Sequence, residues 1–486
     1  MRKWIPRILV AAASLVLLAA LTRAFFMFLK YDWTLVTFPY PVDYGEGPIL
    51  DQVMRMSRFQ NIYRPNPTEP PFTISNYPPA YHLAQLPFAW IFGAAYWYGR
   101  GISMLSILAA GLLIGLTIHA LTQDRLAAVF GGLTLFAIPY ILHWSAFCRV
   151  DSFALALSLG GLYAIARHPH TRSGLIGSAI LLTAAIYTRQ SYGLAAPFAA
   201  FIWLISQKPR WQALRLAIWV GGLSGVLFIL LNLLTGGNFY FNIITANVNP
   251  FFWDTVKNYA KAMWEHLPYL LISSGIFFVG AVWFKVKSWW LIAPYLLAAA
   301  ASAVTIGKDG SNVNYLYELS AAWSLAAGAI LALGQKRWWL RVPLILLLAG
   351  QLFFVYDWTK QDHYRWPMNR ANNERTEIAQ MLEIVKSAQG PVLADEFMGL
   401  VPLAGKELPF QPFEFKQLAI AQVWDQEPFL ESIRQQVYGA ILLYDPPNWD
   451  SRGARWTKEQ LLTIYLNYQE VGRYANTIVL KPYPNR

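Results

Sequence analysis

Hydrophobic residues fall in long runs along this chain, with polar residues gathered between them. Apolar stretches lie at 7–29, 101–121, 126–146, 152–167, 174–188, 193–206, 213–235, 268–284, 288–306, 316–333 and 342–357. Their lengths predict about eleven membrane-spanning helices, several of them short. The run "AYHLAQLPFAWIFG" (80–93) is shorter again and carries Pro87, which suits an interfacial or re-entrant segment that does not cross. Residues 49–63 place Ile49, Val53, Met56 and Ile62 on one face, with Asp51, Arg55 and Arg58 elsewhere. This predicts an amphipathic helix on the membrane surface, with Asp51 solvated. After 357 the pattern changes. "ERTEIAQMLEIVKSA" and "KEQLLTIYLNYQEVGRY" have helical spacing, while "GPVLADE", "YGAILLYDPP" and "NTIVLKPY" read as short strands. The expected architecture is an α-helical polytopic domain, 1–357, with outer loop 30–100, followed by a small extracytoplasmic α/β domain, 358–486.

Composition sharpens this picture. Hydrophobic residues make up 56% of the chain and charged residues only 14%, against about 25% charged in soluble proteins. The net charge of +12 comes from short clusters between apolar runs, which reads as a topology signal and not as a nucleic-acid surface. Those clusters, 167–172, 206–215, 285–287 and 334–341, occupy alternate loops. Placed in the cytoplasm, they put the N-terminus inside and set 30–100, 147–151, 189–192, 236–267, 307–315 and the tail outside. The parity holds only if 80–93 does not cross. The single cysteine, Cys148, permits no disulfide framework and reads as a packing residue.

Candidate chemistry lies in the outer loops. In "PVDYGEGPILDQ" (41–52), Gly45 and Gly47 bracket Glu46, with Asp43 just before. Both acids suit the positive end of the helix that follows; the glycines also suit close approach of a ligand. "NYPP" (76–79) gives a rigid extended entry with Tyr77, and His82 follows as an interfacial histidine or a site residue. Arg149 and Asp151 stand at one outer mouth, Arg189 at a second, Lys308 and Asp309 at a third. Cations on this side run against the positive-inside bias. Arg149, Arg189 and Lys308 are therefore candidates to hold a lipid-linked phosphate. The sequence contains no nucleotide-hydrolase phosphate loop, no HExxH and no nucleophile elbow, which removes support for nucleotide-driven transport.

An acid in the first outer loop, an amphipathic helix, Tyr-Pro-Pro, an Arg-x-Asp at the second outer loop and an outer C-terminal domain together resemble the GT-C superfamily of membrane glycosyltransferases. The closer likeness is to its protein O-mannosyltransferase and aminoarabinose-transferase branch. The resemblance implies transfer of a sugar, with inversion, from a polyprenyl-phosphate donor to a glycan, lipid or protein acceptor outside a bacterial plasma membrane. It implies Glu46 as the first-loop acid and general base, with Asp43 as the alternative, and Asp151 as the second-loop acid. Related oligosaccharide transferases hold a divalent metal at such acids. No DxD pair stands in the second loop here, so a divalent metal stays open and no ligand is assigned. A transporter or lipid flippase is the competing class; it calls for ionisable residues at mid-membrane and paired broken helices.

Overall fold

The computed structural model describes residues 4–64, 67–355 and 362–484. Each of the eleven apolar runs folds as helix, because a backbone surrounded by lipid must satisfy its own hydrogen bonds. Six of these helices are long and apolar enough to cross a membrane: Ile5–Val36, Trp97–Thr122, Val150–Arg167, Trp211–Leu234, Trp289–Gly307 and Val313–Leu333. The pair Trp253–His266 and Pro268–Trp283, bent by 93°, brings the number to seven if it is one span. The count of about eleven thus includes shorter apolar helices, among them Arg172–Ile186 and Trp338–Phe354. The run 126–146 is broken into Arg125–Thr134, a 3₁₀ turn, and Pro139–Trp144, where Pro139 takes the first helical turn. Positions 356–357 of the last run lie outside the described residues.

Packing follows sequence stripes. In Ile5–Val36 the buried residues Ala13, Leu17, Leu21, Ala24, Phe28, Tyr31 and Leu35 recur every three or four positions, with Asp32 buried beside them. Val313–Leu333 is the central helix and is buried on nearly all sides. It crosses Arg125–Thr134 where Gly131 and Gly328 let the two backbones meet. The segment 80–93 is a helix, Ala80–Phe92, too short to span and stopped by Gly93 at φ +69°.

The helix predicted over 49–63 starts earlier, at Glu46, and ends at Ser57. It does not lie on a surface. Asp51, Gln52 and Arg55 are buried along with Ile49, Leu50 and Val53, because the C-terminal region covers its polar face. Asp51 is not solvated: it accepts the Leu408 N–H at 3.0 Å and lies 3.9 Å from Arg55.

The C-terminal region is α/β. Its strands are β1 (Val392–Ala394), β2 (Ala440–Tyr444), β3 (Tyr468–Tyr474) and β4 (Thr477–Pro482), in the order β1-β2-β4-β3. β1 and β2 are parallel; the other pairs are antiparallel, with a bulge at Glu470/Gly472. The segment read as one helix over 458–474 is a helix only over Lys458–Asn467, begun by a Thr457–Gln460 capping box, and then becomes β3. This region interlocks with the connection between the first two long helices. Phe72 bridges Phe410 in parallel and packs among Phe410, Phe415, Trp424 and Phe429; the Ile74 N–H donates to Gln411.

Candidate active site

Five connections at one end of the helices, together with the C-terminal region, enclose a cavity of about 680 Å³. Asp43 and Tyr77 come from the first connection, Arg149 from the second, Arg189 from the third, Asn247 and Asn249 from the fourth, and Lys308, Asp309 and Asn314 from the fifth. Phe413, Glu414, Lys416, Trp449 and Arg455 close the remaining side. The volume is that of a small-molecule site.

The first loop is shaped by a buried ion pair. Glu46, the first residue of its helix, is completely buried. Arg100 donates to both of its carboxylate oxygens, Nε to Oε1 at 2.8 Å and Nη2 to Oε2 at 2.6 Å. The Val42 and Cys148 N–H groups donate to the same carboxylate. Arg100 also donates to the carbonyls of Leu35, Phe38 and Tyr40. Burial pushes the Glu46 pKa up, but Arg100 and the two N–H donors outweigh it and hold the carboxyl below its usual range. Glu46 does not line the cavity. It ties the loop carrying Asp43 to the one carrying Arg149.

Asp43 does line the cavity. The Gly45 N–H and Arg149 Nη1 meet its Oδ2 at 2.8 and 3.3 Å, and among the described residues Oδ1 has no hydrogen bond. Burial pushes its pKa up to about 6, against the pull of Arg149. The two glycines serve protein packing. A Cβ on Gly45 would sit 1.1 Å from Arg149 Nη1, and one on Gly47 would strike Met398 and Gly399.

The cations are set by neighbours behind them. Arg149 lies over the Trp144 ring and donates to the Tyr77 hydroxyl. Arg189 donates to Asp151 and stacks over Tyr315 at 4.3 Å. Asp151 is itself fully buried, accepts from Asn314 Nδ2 at 3.1 Å, and does not line the cavity. Lys308 makes no ion pair among the described residues. Asp309 accepts from Gln417 Nε2 at 2.9 Å. His82 is fully buried, paired with Gln52 Oε1 at 2.8 Å, and does not line the cavity.

Of the nine candidates, Asp43, Tyr77, Arg149, Arg189, Lys308 and Asp309 share one cavity, while Glu46, His82 and Asp151 stand behind its wall. The first-loop and second-loop acids do not converge as metal ligands. Arg149 lies against Asp43 and Arg189 against Asp151, and no cluster of three or more His, Cys, Asp or Glu occurs among the described residues. This donor set does not fit a divalent metal. The sequence reading missed the C-terminal wall: Glu414, Lys416, Trp449 and Arg455 sit in short helices and loops with no motif. The one signal was the polar density of "NWDSRGARW" (448–456) directly after a buried strand.

No family model matches the chain, and no curated protein matches it. Among solved structures, ArnT from Cupriavidus metallidurans in the apo state superposes with a TM-score of 0.60 at 14% identity, over 94% of this chain and 97% of that one. The same protein bound to undecaprenyl phosphate gives 0.58 at 14% identity, over 96% and 98%. The archaeal oligosaccharyltransferase AglB from Archaeoglobus fulgidus, in complex with an inhibitory peptide and a dolichol phosphate, gives 0.57 at 12% identity, over 96% and 73%. ArnT and AglB are GT-C superfamily members, and the chain has the GT-C fold.

Proposed function

We propose that the protein transfers a sugar from a polyprenyl-phosphate donor to an acceptor hydroxyl. The observation that carries this is the cavity: Asp43, with an oxygen free of protein hydrogen bonds, shares it with Arg149, Arg189 and Lys308 on a GT-C scaffold. Solved structures of that fold hold undecaprenyl phosphate in ArnT and dolichol phosphate in AglB, and a cationic pocket at the ends of apolar helices suits such a head group.

Lys308 and Arg189 hold the donor phosphate, with Arg149 between it and Asp43. Asp43 Oδ1 takes the proton from the acceptor hydroxyl as that oxygen bonds to the anomeric carbon. The bond from that carbon to the phosphate oxygen breaks, and its electron pair leaves with the polyprenyl phosphate. The leaving group departs as an anion, so it needs positive charge and no proton donor. A single displacement inverts the anomeric centre. No step is routed through a metal.

The chain alternates between the cavity end and the loops that carry its basic clusters. From the second cavity-lining connection onward, these connections and the four clusters occur in turn along the sequence; between the first and second lies the turn with Arg125 alone. With the clusters in the cytoplasm, the cavity and the C-terminal region face outward, and the N-terminus lies inside.

The test is Asp43→Asn in protein reconstituted into nanodiscs, assayed for sugar transfer and for undecaprenyl phosphate binding. Loss of a general base lowers kcat by about 10²–10⁴-fold while lipid binding persists. Turnover at the wild-type rate sinks the base assignment, and failure of the wild type to bind undecaprenyl phosphate sinks the donor class.

A further inference from the structure

The cavity has two unlike walls. The helix ends supply Arg149, Arg189 and Lys308. The opposite wall, from the C-terminal region, presents an aromatic face beside a carboxylate.

Trp449 is half exposed on the loop after β2 and lines the cavity. Its ring is held from behind by Arg455, whose guanidinium sits 5.0 Å from the ring centroid and 4.7 Å from that of Tyr44. Arg455 is in turn fixed by an ion pair to the buried Glu396, which also binds Arg370 at 2.6 Å. Lys416 donates to the carbonyls of Gly453 and Ala454 and so pins the short helix that ends at Arg455. The indole therefore stands on a rigid base while one side stays open.

Glu414 lies on the same wall. The Tyr44 hydroxyl donates to its Oε2, and the Phe413 N–H donates to that hydroxyl at 3.1 Å. Tyr44 thereby joins this wall to the loop of Asp43. A carboxylate has about four acceptor sites, so Glu414 keeps lone pairs for a ligand. Burial also raises its pKa.

From this wall we infer that the acceptor is a saccharide, its ring lying on Trp449 and its hydroxyls bonded to Glu414. The inference rests on the proposed transfer reaction. An aromatic face accepts the C–H face of a pyranose, and a carboxylate accepts paired hydroxyls. One common way to hold an extended peptide acceptor is backbone pairing to a sheet edge. Here the edge strands β1 and β3 contribute no residue to the cavity. A lipid acceptor needs an apolar wall, and this one carries Glu414, Lys416 and Arg455.

The experiment is saturation-transfer NMR on the full chain in nanodiscs, with three probes: a mixture of pyranose mono- and disaccharides, a Ser/Thr-containing peptide, and a phosphatidylglycerol vesicle as competitor. Undecaprenyl phosphate binding is measured in parallel. The wild type is expected to bind at least one saccharide. Trp449→Ala should weaken that binding at least tenfold, Trp449→Phe should restore most of it, and Glu414→Gln should weaken it several-fold. Equal saccharide binding by wild type and Trp449→Ala overturns the assignment. So does peptide binding, or competition by the vesicle, with no saccharide bound. If saccharides bind through Trp449 but undecaprenyl phosphate does not bind, the subsite stands and the donor reading falls.

Discussion

Asp43 and Glu46 are three positions apart and have opposite surroundings. Glu46 is bonded on both oxygens by a buried arginine, whereas Asp43 keeps one oxygen for the cavity. Removing the charge of Glu46 strands Arg100 in a dry interior. Glu46→Gln is expected to destabilise the fold by about 3–5 kcal/mol, the range for breaking a buried ion pair; a fall in thermal midpoint in detergent, together with the loss of folded yield, reads this out. A fully folded Glu46→Gln protein with a selective loss of kcat would return the base to Glu46. For Asp43 the sign of the pH effect is fixed by its raised pKa. A base must be ionised, so kcat/KM should rise tenfold per pH unit below about 6 and level off above it. Stability contributed by this group runs the other way. It is present at low pH, where the folded state holds the proton, and is lost as pH rises towards about 6. A rate profile flat from pH 5 to 8 contradicts the assignment. The pair of acids was legible in the sequence from the glycine-flanked loop. Which of them faces a ligand was not, because that depends on Arg100, 54 residues beyond Glu46.

At the scale of elements, the pattern of apolar positions located the helices well and misjudged how they are covered. Residues 46–57 have an amphipathic pattern, and a membrane surface was the natural partner for it. The actual partner is the C-terminal region, which supplies the Leu408 N–H to Asp51 and packs Met398 and Gly399 against Gly47. A polar face covered by protein and one covered by water look the same along a single chain. Asp51→Ala leaves that buried N–H without an acceptor and should lower stability by about 1–3 kcal/mol, read as a lower thermal midpoint; an unchanged midpoint would mean that the face is wet. The same limit explains β3. "YQEVGRY" continues a helical spacing, yet pairing with β4 makes it a strand, a case of tertiary contact overriding local pattern.

Across the whole molecule, the alternation of basic and cavity-lining loops was readable from the second cavity-lining connection onward, because a basic cluster marks each intervening turn there. The C-terminal contribution to the cavity was not, since Glu414, Lys416, Trp449 and Arg455 belong to no motif. It depends on a long-range core in which Phe72 is only 1% exposed, set among four aromatic rings of the tail. Phe72→Ala should cost about 3–5 kcal/mol and loosen both the first loop and the tail. Limited proteolysis should then cut both regions at similar rates. Cleavage of the loop alone would show that the two are separate units.

The same clasp has a consequence for biosynthesis. The partner of Ile74, Gln411, lies 337 residues downstream, so the first loop is made long before anything can cover it. At roughly 5–20 residues per second, the segment around Phe72 waits some tens of seconds as an uncovered apolar segment. The loop that carries Asp43 is thus born first and finished last, and the nascent chain depends on whatever shields that segment until the ribosome has passed the tail.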